Sequence, residues 1–174
     1  YLPHGRVLNN YGTGKGFEFI PANNLEVIVG IPPYESRSFP NQSGGIGDEN
    51  LLLKYRLLSG NEEHGNYIVT AFMGLSIPTG SPENTSGHFT FTPTIAAGKG
   101  WGNFDVQSTL GISVPDNGAE PTQGGTPIAW NTSFQYNIFK YFWPEVELNY
   151  TYWPNGAREG INQLYLTPGI VFGK

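Results

Sequence analysis

The chain has 174 residues, which is enough for one domain that buries a core or closes a barrel. It contains no cysteine, so disulfide and thiolate chemistry are excluded, and a net charge of −5 argues against nucleic-acid binding. Charged residues make up only 13% of the chain and aromatic residues 14%. This combination is typical of transmembrane β-barrels, because a water-soluble β-sandwich would normally carry more surface charge.

Apolar and polar residues alternate with a period of two along most of the chain, which predicts strands rather than helices. Residues 1–174 form a single predicted domain, in which an N-terminal segment (1–23) precedes the strands. The predicted strands cover residues 24–33, 48–58, 66–77, 88–98, 103–114, 127–139, 142–153 and 161–172. Strands of this length match the roughly 9–11 residues of a tilted transmembrane strand, whereas soluble strands average about 5–6.

The second predicted strand shows the alternation most clearly. One face would carry Leu51, Leu53, Tyr55 and Leu57, and the other Asn50, Leu52, Lys54 and Arg56. Two cations on the second face indicate that this face is in contact with water. Pro93 in the fourth strand and Pro168 in the eighth cannot donate a ladder hydrogen bond, so we expect a bulge at Pro93.

Five charged side chains fall on the polar faces of three predicted strands. They are Lys54 and Arg56 in the second, Asp105 in the fifth, and Glu145 and Glu147 in the seventh. Carboxylates two residues apart on a strand could serve acid–base catalysis, but no nucleophile and no metal-binding spacing of histidines accompanies them. We therefore interpret all five as lining the lumen of a barrel, and we predict no enzyme activity, catalytic residue, metal site or cofactor.

The width of the barrel decides how these charges interact. A charge that faces lipid is costly, so basic and acidic groups should meet across the interior. In a narrow barrel, we expect at least one of the two cations to form a charge-assisted contact with one of the three carboxylates. In a wider barrel, the same side chains would be separated and hydrated.

Connections of two lengths alternate between the predicted strands. Short ones cover residues 59–65, 99–102 and 140–141, and mostly longer ones cover 34–47, 78–87, 115–126 and 154–160. In outer-membrane barrels the short turns face the periplasm, and aromatic residues form a girdle at each lipid interface. The girdle candidates are Trp101, Trp130, Tyr141, Trp143, Tyr150, Tyr152 and Trp153. The alternative is that these aromatic residues close the ends of a soluble core.

Three stretches carry a family resemblance: FEFIPANNLEVIVGIPPY (17–34), GIGDENLLLKYRLL (45–58) and GLSIPTGS (74–81). Together they resemble the bacterial outer-membrane family of MetA-pathway phenol-degradation proteins. The resemblance implies an outer-membrane transporter linked to uptake of aromatic compounds, without a catalytic motif. It also implies a strand start at Gly47 and Asp48 and a corner at Pro78, Thr79 and Gly80. Members continue with further strands beyond the position of Lys174, which implies a barrel of about twelve strands.

The sequence favours an up-and-down antiparallel barrel of about eight strands in the bacterial outer membrane. We expect a passive pore for small, aromatic or hydrophobic solutes, with the lipid bilayer and the solute as its partners. One alternative is a soluble or periplasmic lipocalin-like carrier, in which Leu53 and its apolar neighbours would point inward around a hydrophobic ligand. Another is a structural or adhesive protein with a closed lumen. The directions in which Leu53 and Lys54 point discriminate between pore and carrier.

Overall fold

The computed structural model describes residues 8–12, 16–37, 43–116 and 125–173, and within these ranges the chain is all-β. The strands in chain order are β1 (Leu8–Tyr11), β2 (Gly16–Ala22), β3 (Leu25–Gly30), β4 (Tyr34–Arg37), β5 (Gly45–Ile46), β6 (Glu49–Gly60), β7 (Tyr67–Ile77), β8 (Thr90–Trp101), β9 (Phe104–Ile112), β10 (Val114–Pro115), β11 (Ile128–Tyr136), β12 (Phe142–Tyr152) and β13 (Asn162–Phe172). Two 3-10 turns, Glu62–His64 and Gly156–Arg158, are the helical segments of the described ranges. Neither they nor any other described segment is a helix long and apolar enough to cross a bilayer.

One large sheet dominates the fold. Its strands follow one another in the order β2, β3, β6, β7, β8, β9, β11, β12 and β13, and each is antiparallel to its neighbours. The short β10 pairs with β8, and β1, β4 and β5 form a separate small sheet. The up-and-down antiparallel prediction is therefore confirmed, because sequential strands joined by turns pair directly.

The predicted strand count and closure differ from the structure. Each of the eight predicted strands corresponds to a strand of the large sheet, but β2 adds a further one from the N-terminal segment. β2 was not predicted because Pro21 interrupts its short alternating run, and the ladder of β2 with β3 is irregular at the same place, between Phe19 and Ala22. Within the described ranges β2 and β13 do not pair, so the sheet is open. With nine strands in succession, the two edge strands β2 and β13 run in the same direction. Antiparallel closure would require an even number of strands.

Connections at the two ends of the sheet differ in length. Residues 23–24, 61–66, 102–103 and 137–141 make the turns at one end, which we call the short-turn end. Residues 31–48, 78–89, 113–127 and 153–161 contain the connections at the other, which we call the long-loop end. The left-handed backbone at Asn66, Phe139 and Lys140 makes the tight reversals at the short-turn end possible. The alternation of short turns and long loops thus follows the predicted pattern.

The pairing register separates the large sheet into an apolar face and a polar face, because directly paired residues lie on the same face. One row of the apolar face consists of Tyr55, Ala71, Ile95, Leu110, Trp130, Tyr150 and Leu164. The adjacent row of the polar face consists of Lys54, Phe72, Thr94, Gly111, Ala129, Thr151 and Gln163. The period-two alternation therefore runs in register across the sheet.

Two local irregularities differ from the sequence prediction. The register between β6 and β7 shifts between Arg56 and Leu58, so Leu58, and not Leu57, continues the apolar face opposite Val69. No register shift occurs at Pro93: β8 pairs with β9 and then with β10 in one register, and the ladder simply lapses around this residue. The missing N–H of proline explains that gap without a bulge.

The sheet has no conventional packed core. Among the described residues, a single hydrophobic side chain is buried, that of Trp153, which is 7% exposed. The accessible surface is 11617 Å², whereas a compact monomer of 19.1 kDa would expose about 8400 Å². Leu53 and Tyr55 on the apolar face are 44% and 48% exposed, but the Lys54 side chain between them is only 28% exposed. Apolar side chains thus lie on the more exposed face, which reverses the usual arrangement of soluble proteins.

Candidate functional site

The polar face carries the charged residues that the sequence singled out. Register places Lys54, Arg56, Asp105, Glu145 and Glu147 on this one face. Arg56, Asp105 and Glu145 lie nearer the short-turn end of their strands, whereas Lys54 and Glu147 lie near the middle of β6 and β12. That this face lines a lumen stays a prediction.

Lys54 forms an ion pair with a residue that the sequence analysis did not single out. Its Nζ lies 2.6 Å from Oε1 of Glu26, and the two residues are direct cross-strand partners on β6 and β3. Both side chains are about three-quarters covered, at 28% and 26% exposure. Glu26 lies between Leu25 and Val27 in β3 and so points to the face opposite theirs, but only the register shows which residue stands opposite it.

Arg56 is held by the turn between β2 and β3. Its Nη2 donates to Asn24 Oδ1 at 2.8 Å and to the carbonyl oxygen of Asn23 at 2.9 Å, and its Nε donates to Asn24 Oδ1 at 3.2 Å. These bonds fix the guanidinium without neutralising its charge. Arg56 and Lys54 line a cavity of about 240 Å³ at this edge of the polar face.

The acidic residues lie on the opposite side of the same face. Asp105, Gln135 and Glu145 are successive partners on β9, β11 and β12, so the two carboxylates are about 10 Å apart along the sheet. Ser133 Oγ donates to Glu145 Oε1 at 2.9 Å, and Gln135 Nε2 donates to Oε2 at 2.6 Å. Glu147 is directly opposite Ser133. The acidic side is thus ordered by neutral hydrogen-bond donors rather than by cations.

Small residues keep space open beside the acidic groups. Gly100 is the cross-strand partner of Asp105, and Gly169 is that of Glu145. A Cβ atom at Gly100 would lie too close to Nδ2 of Asn66, at 2.1 Å, and to Oδ1 of Asp105, at 2.6 Å. A larger residue there would have to displace both side chains.

The predicted contact between basic and acidic groups is absent from the described residues. Lys54 pairs with Glu26, and Arg56 bonds to Asn23 and Asn24. In the described sheet these groups are far apart: β6 lies three strands from β9 and five from β12, which corresponds to about 14 and 24 Å along the sheet. Because this sheet is open, a contact across the interior of a narrow barrel stays a prediction, as does the separation expected in a wider one.

Four of the seven girdle candidates lie on the apolar face near an end of the sheet, and Tyr141 lies in a turn; that they form a girdle stays a prediction. Trp130 and Tyr150 are direct partners on the apolar face, and Tyr152 is paired with Ile128 at its long-loop end. Trp101 ends β8 at the short-turn end, and Tyr141 is 55% exposed in the turn before β12. Trp130 differs from an ordinary interfacial residue because its indole N–H donates to Ser108 Oγ at 2.9 Å.

The girdle interpretation does not extend to Trp143 and Trp153. Both occupy positions whose side chains alternate with those of the apolar face. Phe142 and Phe172 are paired on the apolar face, so the next pair, Trp143 and Val171, lies on the polar face. Trp153 is buried at the long-loop end, with its ring centroid 5.2 Å from the guanidinium carbon of Arg158. Aromatic residues at strand ends are recognisable in the sequence, but the face to which each belongs depends on the strand register.

The family-like motifs come together at the long-loop end. Asp48 Oδ1 accepts from the backbone N–H of Gly80 at 3.0 Å, and Oδ2 accepts from Ser86 N and Oγ at 2.8 and 2.7 Å. Ser81 N donates to the carbonyl oxygen of Ile46 at 2.8 Å. We call these bonds the Asp48 clasp. It joins the GIGDEN and PTGS segments, which the sequence alone could not place in contact.

The pKa of Asp48 depends on this clasp. Partial burial raises the pKa, but hydrogen bonds from Ser86, Thr85 and Gly80 together outweigh it, so the pKa lies below the usual value of 3.8. A carboxyl with a lowered pKa in the folded state stabilises that state at pH values above its unfolded pKa. The stabilisation is lost as the pH falls through the folded pKa.

Replacing Asp48 with asparagine is expected to weaken the clasp by about 1.5–3 kcal/mol at neutral pH, because an N–H group would face the donors of Ser86. Amide exchange at Gly80 and Ser86 should accelerate accordingly. The difference from the unmodified protein should disappear below the folded pKa of Asp48. Asp116→Asn, at an exposed position of a neighbouring loop, is the control. Equal exchange in both variants would contradict a specific role of Asp48.

Comparison with known proteins gives no match: no family model, curated protein or solved structure is detectably similar to the chain.

Proposed function

We propose that the sheet is the wall of a passive pore in the bacterial outer membrane, and that the polar face lines the passage of small solutes. The observation that carries this proposal is the reversed exposure of the two faces. Large apolar side chains such as Leu53, Leu110 and Leu164 are 44–65% exposed. In water such a surface is unfavourable, but in contact with lipid tails it needs no further covering.

The height of the apolar face supports a membrane location. Charged residues of this face occur at its two ends, where Glu49 pairs with Ile77 and Lys99 pairs with Tyr67. Tyr67 and Ile77 are the two ends of β7, and ten residue steps correspond to about 33 Å along a strand. At a tilt of about 40° this length gives about 25 Å, the height of the apolar band of outer-membrane barrels.

The same faces argue against the carrier alternative. A lipocalin-like barrel would enclose the apolar residues and expose Lys54 and its row, whereas Leu53 is on the more exposed face here. We therefore favour the pore over the carrier. Membership of the MetA-pathway phenol-degradation family, and with it an aromatic or hydrophobic solute, belongs to the proposal and rests on the resemblance of the motifs that form the Asp48 clasp.

Conductance in a planar bilayer tests the proposed function. The pore should conduct and prefer cations, because the carboxylates of Asp105, Glu145 and Glu147 have no cationic partner in the described ranges and outnumber Arg56, while Lys54 is paired with Glu26. Glu145→Gln combined with Glu147→Gln should reduce the preference, measured as the reversal potential in a salt gradient. Gln163→Glu adds a carboxylate to the same face and should increase it. A protein that inserts but never conducts would contradict the pore.

A further inference from the structure

Lys99 is an unusual cation, because it belongs to the apolar face. It pairs with Tyr67 near the end of β8, and its Nζ donates to the carbonyl oxygen of Gly65. The same Nζ lies 5.6 Å from the ring centroid of Trp101, which stacks on Phe104 with centroids 6.3 Å apart. We call Tyr67, Lys99, Trp101 and Phe104 the Lys99 cluster. It combines a positive charge with three aromatic rings at the short-turn end of the apolar face.

The Lys99 cluster contains hydrogen-bond donors that have no acceptor in the described part of the chain. An ammonium group has three N–H donors, and Gly65 accepts one of them. The indole N–H of Trp101 and the hydroxyl of Tyr67 have no partner within the described part of the chain. Trp130 provides the contrast, since its indole N–H is used by Ser108. The Lys99 cluster is therefore suited to an anionic acceptor from outside the protein, whereas the surroundings of Trp130 are not.

The two ends of the sheet differ in charge. Within the described ranges, the connections at the long-loop end and the adjoining Glu49 contain six acidic residues and two basic ones. The acidic residues are Glu35, Asp48, Glu49, Glu83, Asp116 and Glu159, and the basic ones are Arg37 and Arg158. At the short-turn end, Glu62 and Glu63 are exposed on their turn, and Lys140 is exposed on another. The long-loop end is therefore the more negative of the two, whereas at the short-turn end an anionic surface meets a cation of the apolar face, Lys99, beside the two exposed carboxylates of the neighbouring turn.

We propose that the Lys99 cluster binds the phosphodiester group of a phospholipid headgroup. The Lys99 ammonium and the Trp101 indole donate to phosphate oxygens, and the aromatic rings lie at the boundary between headgroups and acyl chains. This inference rests on the proposed membrane location. It adds a ligand, a site and an orientation, because it places the short-turn end against the leaflet that contains the anionic phospholipid.

Partition of the whole chain into lipid vesicles tests the site. Flotation is measured with vesicles of phosphatidylcholine alone and with vesicles that also contain phosphatidylglycerol. The unmodified protein should prefer the anionic vesicles, and Lys99→Gln should reduce this preference by more than the roughly fivefold loss that removal of any one lysine near a membrane surface causes. Lys140→Gln is the matched control, because it removes the same charge from an exposed turn outside the Lys99 cluster.

The outcomes separate the site from the membrane location on which it rests. Equal losses in Lys99→Gln and Lys140→Gln, or no preference in the unmodified protein, would overturn the phosphate site while leaving the wall intact. Failure of the unmodified protein to enter either vesicle would overturn both. Where Lys99→Gln does not fold, Trp101→Phe replaces it, since this variant keeps a ring and removes the indole N–H. A reduced preference supports the site, and an unchanged one overturns it.

Discussion

Replacing Leu53 with arginine is expected to destabilise the folded protein in a bilayer by about 2–4 kcal/mol, the cost of a cation near the midplane of a lipid-facing wall. Leu53 lies between Val27 and Met73 on the apolar face, and both partners are also apolar. No acidic side chain of the same row is available to compensate the charge. The free energy of unfolding from vesicles, measured by denaturant titration, gives the result.

The matched control moves the same substitution by one residue. Leu52 lies on the polar face, between Ile28 and Gly74, and the glycine leaves room for a long side chain. Leu52→Arg should therefore cost much less than Leu53→Arg, because its guanidinium reaches water. Equal costs at the two positions would show that the faces do not differ in environment, and the inverse order would favour the carrier.

Truncation of Trp153 to alanine should be the most damaging change of a single aromatic residue, with a cost of about 3–5 kcal/mol. The ring is 7% exposed and lies against the guanidinium of Arg158. The backbone N–H of Trp153 donates to the carbonyl oxygen of Ile161 at 3.0 Å, and alanine keeps this bond, so the loss reports on the ring alone. Thermal unfolding in detergent micelles measures the loss.

Trp101→Ala is the control for Trp153, because the Trp101 ring is 57% exposed. Its removal should cost clearly less in micelles, where no phospholipid headgroup is present. Similar losses of stability for the two tryptophans would indicate that Trp153 is an exposed girdle residue and would contradict its burial on the polar side of the sheet. The comparison therefore tests the face assignment through stability alone.

The strands were predictable because alternation is a local property. In any strand, side chains alternate between the two faces, so Leu51 and Leu53 had to share one face and Lys54 the other. The pairing register confirmed this division across the sheet. The exception is Leu57, which a one-residue shift removed from the ladder. Such a shift depends on how β6 and β7 pair, and the sequence of β6 alone carries no signal for it.

Closure and charge pairing were less predictable because both depend on distant strands. Whether β2 meets β13 depends on strand number, and the alternation of neither strand encodes this number. Glu26 and Lys54 are 28 residues apart, and their ion pair follows from the register of β3 against β6. The Asp48 clasp likewise joins segments that are separated by a complete β-hairpin. Alternation within β3 separates Glu26 from its neighbours Leu25 and Val27, but it carries no information about which residue of β6 stands opposite it.

Accessibility of spin labels on β6 tests the central claim most directly. Nitroxides placed in turn at Leu51, Leu52, Leu53, Lys54 and Tyr55 are exposed to oxygen, which concentrates in lipid, and to a water-soluble nickel complex. If the apolar face contacts lipid and the polar face a water-filled passage, Leu51, Leu53 and Tyr55 should favour oxygen, and Leu52 and Lys54 the nickel complex. The opposite alternation, or equal accessibility at all five positions, would contradict the membrane wall.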